Sequence, residues 1–396
     1  MNLIFALNFF VINVLFNNRE KIMKKLFNSG LVALLTTTPF VVNAEGLERI
    51  NIDPSFMFTE GSSAEIGFAN ISPSLPAVKG TGSAFTFQSG LDVAPSFSAI
   101  TGSIKTEMGD SFDLGLFYTS QGNGVGIDYG TITGLEGNIT IKADLEIPTL
   151  AAIGKYQIND TMSVFVGAKQ TTVKAGATLK LGMDSNSNLN PDVTSHWELS
   201  KKSGIGAIYG AAYEMPEIAL RVVLTVEDDI DLSIPATAKG GLADTGTATA
   251  SIGDAISLNF QTGIAEDTLL FGNIRRSSWA DNQVKVPVLV AGLTQVSSFS
   301  DGDSYSLGIG RKINDDLSVS ISGFYDGSSG GAISELAPTG STKTISVGGK
   351  YAIADNADLS IGGSYSQRGD ALTGSYKASL TDSKVISLGA KVAFSF

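Results

Sequence analysis

The chain has no cysteine, one histidine and only 17% charged residues over its 396 positions. Without cysteine, neither a disulfide framework nor a thiolate metal site can form. The histidine, His196, stands beside Trp197 in a polar segment. This disfavours a Ser-His hydrolase, because that site needs a serine and an orienting partner around its histidine. No group of side chains has the spacing of metal ligands, so neither an enzyme nor a cofactor is expected.

Positive charge is also scarce. The formal net charge is −12, and residues 1–44 hold four of the basic residues but only one acidic residue. Removal of that segment would leave a still more acidic chain. A surface of this sign disfavours nucleic acid as a partner, since phosphate binding relies on lysine and arginine.

Long apolar runs are missing after Ala44, where no stretch approaches the ~20 residues of a transmembrane helix. The N-terminus is different. Two lysines, an apolar run and small residues follow one another in MKKLFNSGLVALLTTTPFVVNA, which predicts a secretory signal peptide starting at Met23 and cleaved after Ala44. The preceding residues 1–16 could be read as a second membrane segment, but they are short for one. A secreted chain without such helices can cross a membrane only as a closed barrel.

A polar pivot recurs between apolar runs, as in KYQINDTMSVFVG (155–167), RKINDDLSVSISG (311–323) and KYAIADNADLSIGG (350–363). Spacings of about 50 residues also occur in solenoids and propellers. The flanking segments, however, alternate apolar with small or polar residues, which favours long strands joined by tight turns. The predicted turns lie near Asp110, Asp160, Pro216, Asp267, Asp315 and Asn356.

The last segment has the clearest alternation. Ile386, Leu388, Ala390, Val392, Phe394 and Phe396 fall on one face of a strand, and small or polar residues fall on the other. Between the turns, long segments rich in Gly, Ser, Thr and Asn separate the strands. Short turns at one end and long loops at the other are typical of an outer-membrane barrel. Six turns predict an all-β, 14-stranded antiparallel barrel; a soluble β-sandwich or a secreted adhesin is the alternative.

Several segments resemble the FadL family of outer-membrane transporters, in order and spacing over the whole predicted mature chain. They are FMFTEGSSAEIGFANISPSL (56–75), YGAAYEMPEIALRVVLTV (209–226), AISLNFQTGIAEDTLLFGNIRRSSWAD (255–281), YSLGIGRKINDDLSVSISGFYD (305–326) and the C-terminal ISLGAKVAFSF. The resemblance implies a monomeric barrel in the outer membrane of a Gram-negative bacterium, in contact with lipid and lipopolysaccharide. It also implies uptake of hydrophobic compounds such as long-chain fatty acids or hydrocarbons.

The family fold divides the chain into a signal region (1–44), a short hatch inside the lumen (45–63) and the barrel (64–396). Ligand would be captured by external loops and would leave sideways through the wall. This sequence differs from the family pattern in two places. The hatch is short, and the segment from Thr119 to Gly124 (TSQGNG) lacks the Asp-x-Pro-aromatic-Gly pattern of the related branch, although its glycines permit a bulge in the wall.

Two apolar groups are candidate ligand sites. Phe56, Met57 and Phe58 precede the first strand and would contact a ligand from the hatch, or simply plug the barrel. An external loop carries Val288, Leu289, Val290 and Leu293, which would capture a hydrophobic molecule or pack as a lid. Weaker candidates in other loops are Phe85, Phe87, Phe97, Ile333 and Leu336.

Arg275 and Arg276 are adjacent in a predicted strand, so only one of them can point inward. An inward Arg275 would hold a carboxylate head group. The alternative is a surface arginine beside lipopolysaccharide, with Trp279 in the interfacial aromatic girdle. The same two positions, inside the lumen or on the outer surface, are open for Lys105, Lys169, Arg221 and Lys391.

The sequence therefore predicts a passive outer-membrane transporter of hydrophobic molecules. A general water-filled porin and a structural or adhesive surface barrel are the alternatives. A porin would need a polar lumen, and an adhesin would bind through its long loops without any small-molecule flux.

Overall fold

The computed structural model describes residues 46–88, 91–133, 138–174, 176–184, 195–327 and 333–396. The predicted start at Met23, the signal peptide and the cleavage site after Ala44 lie outside these residues. Within them, no helix is long and apolar enough to cross a membrane.

The described residues form two 3₁₀ helices, Pro54–Phe58 and Pro216–Ile218, and a series of strands. In chain order the strands are β1 (Ser63–Ser74), β2 (Ala77–Lys79), β3 (Phe97–Glu107), β4 (Phe112–Thr133), β5 (Asn138–Asn159), β6 (Met162–Val173), β7 (Ala177–Asp184), β8 (Ser195–Leu199), β9 (Lys202–Met215), β10 (Leu220–Glu227), β11 (Ile230–Ala238), β12 (Gly246–Ile252), β13 (Ala255–Ala265), β14 (Thr268–Ser277), β15 (Lys285–Val288), β16 (Gly292–Gln295), β17 (Gly302–Lys312), β18 (Leu317–Gly327), β19 (Thr342–Ala354), β20 (Ala357–Arg368), β21 (Ala371–Leu372), β22 (Ala378–Leu380) and β23 (Lys384–Ser395).

Fourteen strands close into an antiparallel barrel, which confirms the predicted fold class. They are β1, β3, β4, β5, β6, β9, β10, β13, β14, β17, β18, β19, β20 and β23. The barrel closes where β1 pairs with β23, from Ser63 opposite Ser395 to Ser74 opposite Lys384. Because every barrel strand has two neighbours, no edge is left unpaired, as a membrane-spanning sheet requires.

All six predicted turns lie at one end of the barrel, between consecutive barrel strands. The repeated Ile-Asn-Asp sequence explains two of them. The Asn159 side-chain oxygen accepts hydrogen bonds from the backbone N–H groups of Thr161 and Met162, at 3.0 and 2.9 Å. Asn314 does the same for Asp316 and Leu317, at 3.0 and 2.8 Å. An asparagine side chain that imitates a backbone turn is well suited to a short hairpin.

The alternating pattern sets the two faces of the wall. In β23 the predicted apolar face points outward, with Leu388 and Phe394 exposed, while Ser387 on the other face is buried. The same alternation runs along β17 and β18, whose outward residues include Tyr305, Leu307 and Ile321. An apolar outer face on a closed barrel is the arrangement that a lipid bilayer requires.

The other end of the barrel is covered by what we call the external cap. The outer parts of β4 and β5 extend beyond the barrel and continue into a sheet through β7, β8, β11, β12, β15 and β16. Its apolar core includes Leu47, Tyr129, Trp197, Trp279 and Phe299, all buried. The Tyr129 hydroxyl donates to the Glu335 backbone oxygen at 3.1 Å, and burial raises the pKa of this phenol well above its usual value. The loops therefore form one packed layer.

Residues 46–62, here called the luminal segment, run along the inside of the barrel from the cap to the turn end. Gly46 lies against the Trp279 ring in the cap, and a Cβ at this position would meet that ring at 2.1 Å. At the other end, the Phe396 backbone N–H donates to the Ser62 carbonyl oxygen at 3.0 Å. The segment thus spans the lumen before the chain enters β1.

Candidate functional site

The 3₁₀ helix of the luminal segment packs against one side of the inner wall. Phe56, Met57 and Phe58 are buried in a cluster with residues of β5, β6, β9 and β10, including Ile153, Phe165, Ile208 and Val223. Gly115 of β4 makes room for them, because a Cβ there would stand 2.1 Å from the Met57 sulfur and 2.7 Å from the Phe56 ring. These three residues, here called the plug, therefore pack on the inner wall of the barrel. Whether they close the lumen or contact a ligand stays a prediction.

Basic side chains from the wall hold the lower end of the segment. Arg221 donates to the Phe58 carbonyl oxygen at 2.9 Å, and Lys105 donates to the Thr59 carbonyl oxygen at 2.5 Å. Arg221 also pairs with Glu214 at 2.7 Å, and its guanidinium lies 5.0 Å from the centre of the Phe58 ring. Charge-assisted bonds to buried carbonyl groups are among the stronger polar contacts in proteins, so this end is firmly attached.

Arg275 points inward and holds the upper end. Its guanidinium bonds to Glu48 of the luminal segment, to Glu227 of β10 at 2.7 Å and to Ser257 of β13 at 2.8 Å. Lys169 completes the cluster by pairing with Glu227 at 2.8 Å. The lipopolysaccharide-facing position considered for Arg275 from sequence is therefore wrong.

The adjacent Arg276 is the outward residue. It is exposed and pairs with Asp303 at 3.2 Å. The four other basic residues left ambiguous, among them Lys391, also face the lumen; Lys391 pairs with Glu65 of β1 at 3.1 Å. Sequence reasoning missed Glu48 and Glu227, although Glu227 stands an even number of residues after the inward Arg221 and so shares its face.

A cavity of about 330 Å³ remains between the luminal segment and the opposite wall. Its segment side includes Ile52, Pro54 and Phe56, and Phe117 of β4 adds a further ring. The opposite side includes residues of β17, β18, β20 and β23. Together with β19, which pairs with β18 and β20, these strands are here called the serine half. Its inward residues include Ser304, Ser306, Ser320, Ser322, Ser346, Ser360, Ser364, Ser366 and Ser387. Strands β4, β5, β6, β9 and β10, whose inner face carries the apolar residues beside the 3₁₀ helix of the segment, are called the apolar half. Strands β1, β3, β13 and β14 belong to neither half.

The wall is interrupted at β4. Its pairing with β3 ends at Thr101 opposite Thr119, and its register against β5 shifts between Thr119 and Asn123. The intervening stretch turns into the lumen, where the Gly122 carbonyl oxygen accepts from the N–H groups of Arg49 and Ile50 at 3.0 and 3.2 Å. The bulge that the glycines permit is therefore present without the proline of the related branch.

Glycine is required at this bulge for packing reasons. A Cβ on Gly122 would lie 2.1 Å from the Thr149 hydroxyl oxygen. Gly124 has a φ of +150°, and a Cβ there would lie 2.4 Å from the Leu145 carbonyl oxygen. Across the break, one contact replaces the ladder: the Ile100 N–H donates to the Ser120 hydroxyl oxygen at 2.9 Å. Ile50 and Arg49 stand behind the break on the inside, with the Arg49 guanidinium 4.3 Å from the centre of the Phe97 ring.

The apolar external loop forms the hairpin of β15 and β16 at the edge of the cap. Val288 packs against the cap core, whereas Leu289, Val290 and Leu293 at the tip are exposed. Leu242, also exposed, lies next to them, since the Leu289 N–H donates to its carbonyl oxygen at 2.8 Å. The tip is therefore an apolar surface open to solvent; its role in capture stays a prediction.

The weaker loop candidates contribute to packing. Phe85, Phe87, Ile333 and Leu336 belong to or pack on the cap core, and Phe97 packs on the inner wall. Trp279 is also buried in the cap, 5.8 Å from Phe299 between ring centres, so its predicted place in the interfacial girdle is wrong.

His196 lies in β8 of the cap, where burial and the nearby Lys180 lower the pKa of its imidazole. In the part of the chain that the structure describes, no group of three acidic or histidine side chains is placed to hold a metal ion.

Solved structures share this architecture. A FadL homologue from Pseudomonas aeruginosa superposes with a TM-score of 0.61 over 91% of this chain and 100% of its own, at 15% identity. The toluene transporter TodX of Pseudomonas putida gives 0.61 over 87% and 93%, at 16% identity. CymD, a monoaromatic hydrocarbon channel, gives 0.57 over 92% and 98%, at 14% identity.

The chain has the FadL-type fold. No family model matches the sequence, and no curated protein does. The FadL-type resemblance read from the residues is thus confirmed at the level of the fold. A closed barrel of this type with an apolar outer face belongs in the outer membrane of a Gram-negative bacterium. Of the similar structures named above, TodX is a toluene transporter and CymD is a hydrocarbon channel.

Proposed function

We propose that this FadL-type barrel takes up hydrophobic small molecules passively and releases them sideways into the membrane at the β4 break. The main support for the proposal is the hydrogen bonding of the β4 backbone at this break. Gly122 bonds to the luminal segment instead of to β3, so a shift of Arg49 and Ile50 would open the wall directly to lipid. The exposed tip at Leu289, Val290 and Leu293 would make the first contact with the ligand.

Lateral release agrees with the energetics of an apolar ligand. Each CH₂ group transferred from water to hydrocarbon gains ~0.8 kcal/mol, so entry into the bilayer is downhill and exit into periplasmic water is not. Ile100 and Tyr118, both exposed on the outer face, flank the break and would give the leaving molecule an apolar edge. Phe56 and Phe117, whose ring centres are 6.2 Å apart, line the cavity behind it.

A reversible disulfide tests whether the ligand leaves at the β4 break. The chain lacks cysteine, so Ile100→Cys together with Ser120→Cys would close the break with one disulfide that a reductant reopens. Uptake of radiolabelled toluene and oleate, and of a small sugar, is measured in cells without their own fatty-acid transporter. We expect the oxidised barrel to take up toluene and oleate about ten times more slowly than the reduced barrel. Sugar flux should be the same in both.

The matched control is Tyr305→Cys with Tyr325→Cys, a pair of facing outward residues on β17 and β18 in the uninterrupted wall. Equal hydrophobic uptake by the oxidised and the reduced barrel would exclude exit at the break. Loss of uptake in the control pair as well would point to a general effect of cross-linking.

A water-filled porin is the second candidate, and the serine half is the observation that favours it. Hydroxyl groups line much of the wall that the luminal segment does not touch. Sugar flux through the unaltered barrel without uptake of toluene or oleate would support this function instead. Phe56→Ser with Phe58→Ser sharpens the distinction, because loosening the plug should raise sugar flux in either case but change hydrophobic uptake only in a transporter.

A further inference from the structure

Two asparagines face each other where β13 and β14 border the cavity. Asn259 of β13 stands opposite Asn273 of β14 in the antiparallel register. Directly opposite residues share a face of the sheet, and Asn273 lies two positions before the inward Arg275. Both side chains therefore belong to the inner face, and both residues line the cavity.

The two side chains form one hydrogen bond with each other. The Asn273 amide nitrogen donates to the Asn259 side-chain oxygen. This bond leaves the amide nitrogen of Asn259 and the side-chain oxygen of Asn273, and neither has a further side-chain partner among the described residues. A flip of both amides would leave the same two kinds of group. The pair therefore offers one hydrogen-bond donor and one acceptor side by side.

A hydroxyl group matches this pair, because its oxygen can accept one hydrogen bond and donate another. An ionised carboxylate only accepts, so it would meet the free side-chain oxygen with no proton between them. An ammonium group only donates and fails at the amide nitrogen for the same reason. A plain hydrocarbon would displace water from both amides without replacing its hydrogen bonds, which weakens binding.

The charges around the cavity disfavour an acid for a second reason. The basic residues among its described lining are Arg221, Arg275 and Lys391. Each already pairs with a carboxylate of the protein, at 2.7, 2.7 and 3.1 Å respectively. A ligand carboxylate would have to displace one of these partners or remain unpaired, and burial of an unpaired charge is costly.

Aromatic rings beside the amide pair suit the apolar body of a ligand. Phe271 lies two positions before Asn273 on the same face and lines the cavity. Gly308 makes room for it, because a Cβ there would stand 2.5 Å from the Phe271 ring. Phe56 and Phe117 line the same cavity. Its volume of about 330 Å³ is near the lower limit for small-molecule sites, which favours a single small compound.

We propose that this cavity binds neutral hydrophobic molecules that carry a hydroxyl group, such as alcohols and phenols, with Asn259 and Asn273 holding the hydroxyl. The proposal rests on the proposed function, because it names the class of hydrophobic compound that the barrel takes up. A hydrocarbon of the same size makes only the contacts with the rings, and a carboxylate loses the pairing with Asn273 as well.

Three probes with one carbon skeleton test the site. Para-ethyltoluene, para-ethylbenzyl alcohol and para-ethylbenzoate carry a methyl, a hydroxymethyl and a carboxylate group at the same position. Binding of each radiolabelled probe to the purified barrel is measured by equilibrium dialysis, with protein-free detergent micelles as the reference. We expect the alcohol to bind about tenfold more tightly than either of the other probes.

Asn259→Leu with Asn273→Leu replaces both amides by apolar side chains of similar size. Alcohol binding should fall about tenfold, and hydrocarbon binding should stay the same. The matched control is Asn70→Leu, an exposed asparagine of β1 opposite the outward Leu388, which should alter none of the three probes. Heat-modifiable migration in gels verifies that each variant is a folded barrel. The order of the probes on the unaltered barrel tests the proposal even if the double variant fails to fold.

The outcomes separate this inference from the proposed function. Equal loss of alcohol and hydrocarbon in the double variant overturns the hydroxyl site and leaves transport of hydrophobic compounds intact. An unaltered barrel that binds the hydrocarbon or the carboxylate as tightly as the alcohol also overturns only the hydroxyl site. A barrel that binds none of the three probes overturns the proposed function and this inference with it.

Discussion

The two halves of the barrel wall have the same backbone and different interiors. The apolar half presents Ile153, Phe165 and Val223 to the luminal segment, and all three are buried in that contact. The serine half presents small hydroxyl groups to the cavity. One half therefore holds the plug by burial of apolar area, and the other half leaves room beside it. The difference shows that one side of this barrel supports the segment while the opposite side borders the cavity.

The largest effect is expected where the plug is tied to the wall by charge. Arg275→Met takes the arginine away from Glu48 and from the buried Glu227, and losing one member of a buried ion pair costs about 3–5 kcal/mol. We expect a clear drop in the thermal unfolding temperature of the purified barrel, with Arg276→Met as the control. A stability equal to that of the unaltered protein would mean that water replaces the lost bonds.

The packing of the plug on the apolar half is tested by adding a side chain at Gly115. Gly115→Val would push against Met57 and Phe56, and overpacking of this kind costs about 1–3 kcal/mol. The plug should loosen and sugar flux should rise. Gly323→Ala is the control, since a Cβ there meets nothing closer than the Thr344 carbonyl oxygen at 4.0 Å. If both variants conduct sugar alike, the plug is not held by this contact.

The turns should not distinguish the halves. Asn159→Ala and Asn314→Ala each remove two hydrogen bonds to backbone N–H groups, one at the apolar half and one at the serine half. Each loss should cost on the order of 1 kcal/mol, measured by denaturant unfolding. A markedly larger cost at Asn159 would mean that the plug stabilises the turn below it.

The serine half should tolerate apolar substitution. Ser306→Val with Ser322→Val adds methyl groups to the cavity wall, and the effect on stability should stay within about 0.5 kcal/mol. Toluene uptake should persist and sugar flux should fall, as flux assays with both solutes would reveal. A loss of toluene uptake together with retained sugar flux would reverse the roles assigned to the two halves.

The smallest effect concerns pH at the β17–β18 turn. The hydrogen bond from Lys312 lowers the pKa of Asp315. A lowered pKa in the folded state stabilises the protein above the ordinary aspartate pKa, and that contribution disappears as pH falls through the folded value. Asp315 is fully exposed, so the unaltered protein and Asp315→Asn should differ slightly in unfolding temperature near neutral pH and converge in acid.

The sequence predicted the parts of this structure that depend on short-range rules. Alternation along β23 assigned its lipid face, and the Ile-Asn-Asp repeats located turns, because both signals lie within a few neighbouring residues. The sequence could not identify interaction partners that are distant in the chain. The alternation of faces can put Arg275 on the inner side of the wall, but its partner Glu48 lies 227 positions away. Trp279 was misassigned because aromatic residues also suit a membrane interface, and only the packed cap explains its burial.

The membership of Leu47 in the cap core has a consequence for folding. Leu47, at the start of the described chain, shares one apolar cluster with Leu380, close to its end. Contacts between residues so far apart form slowly, because the intervening chain must first be ordered. The cap can therefore consolidate only after nearly the whole polypeptide has been delivered to the membrane. A truncation of the luminal segment would remove Leu47 from that core, so it would weaken the cap as well as remove the plug.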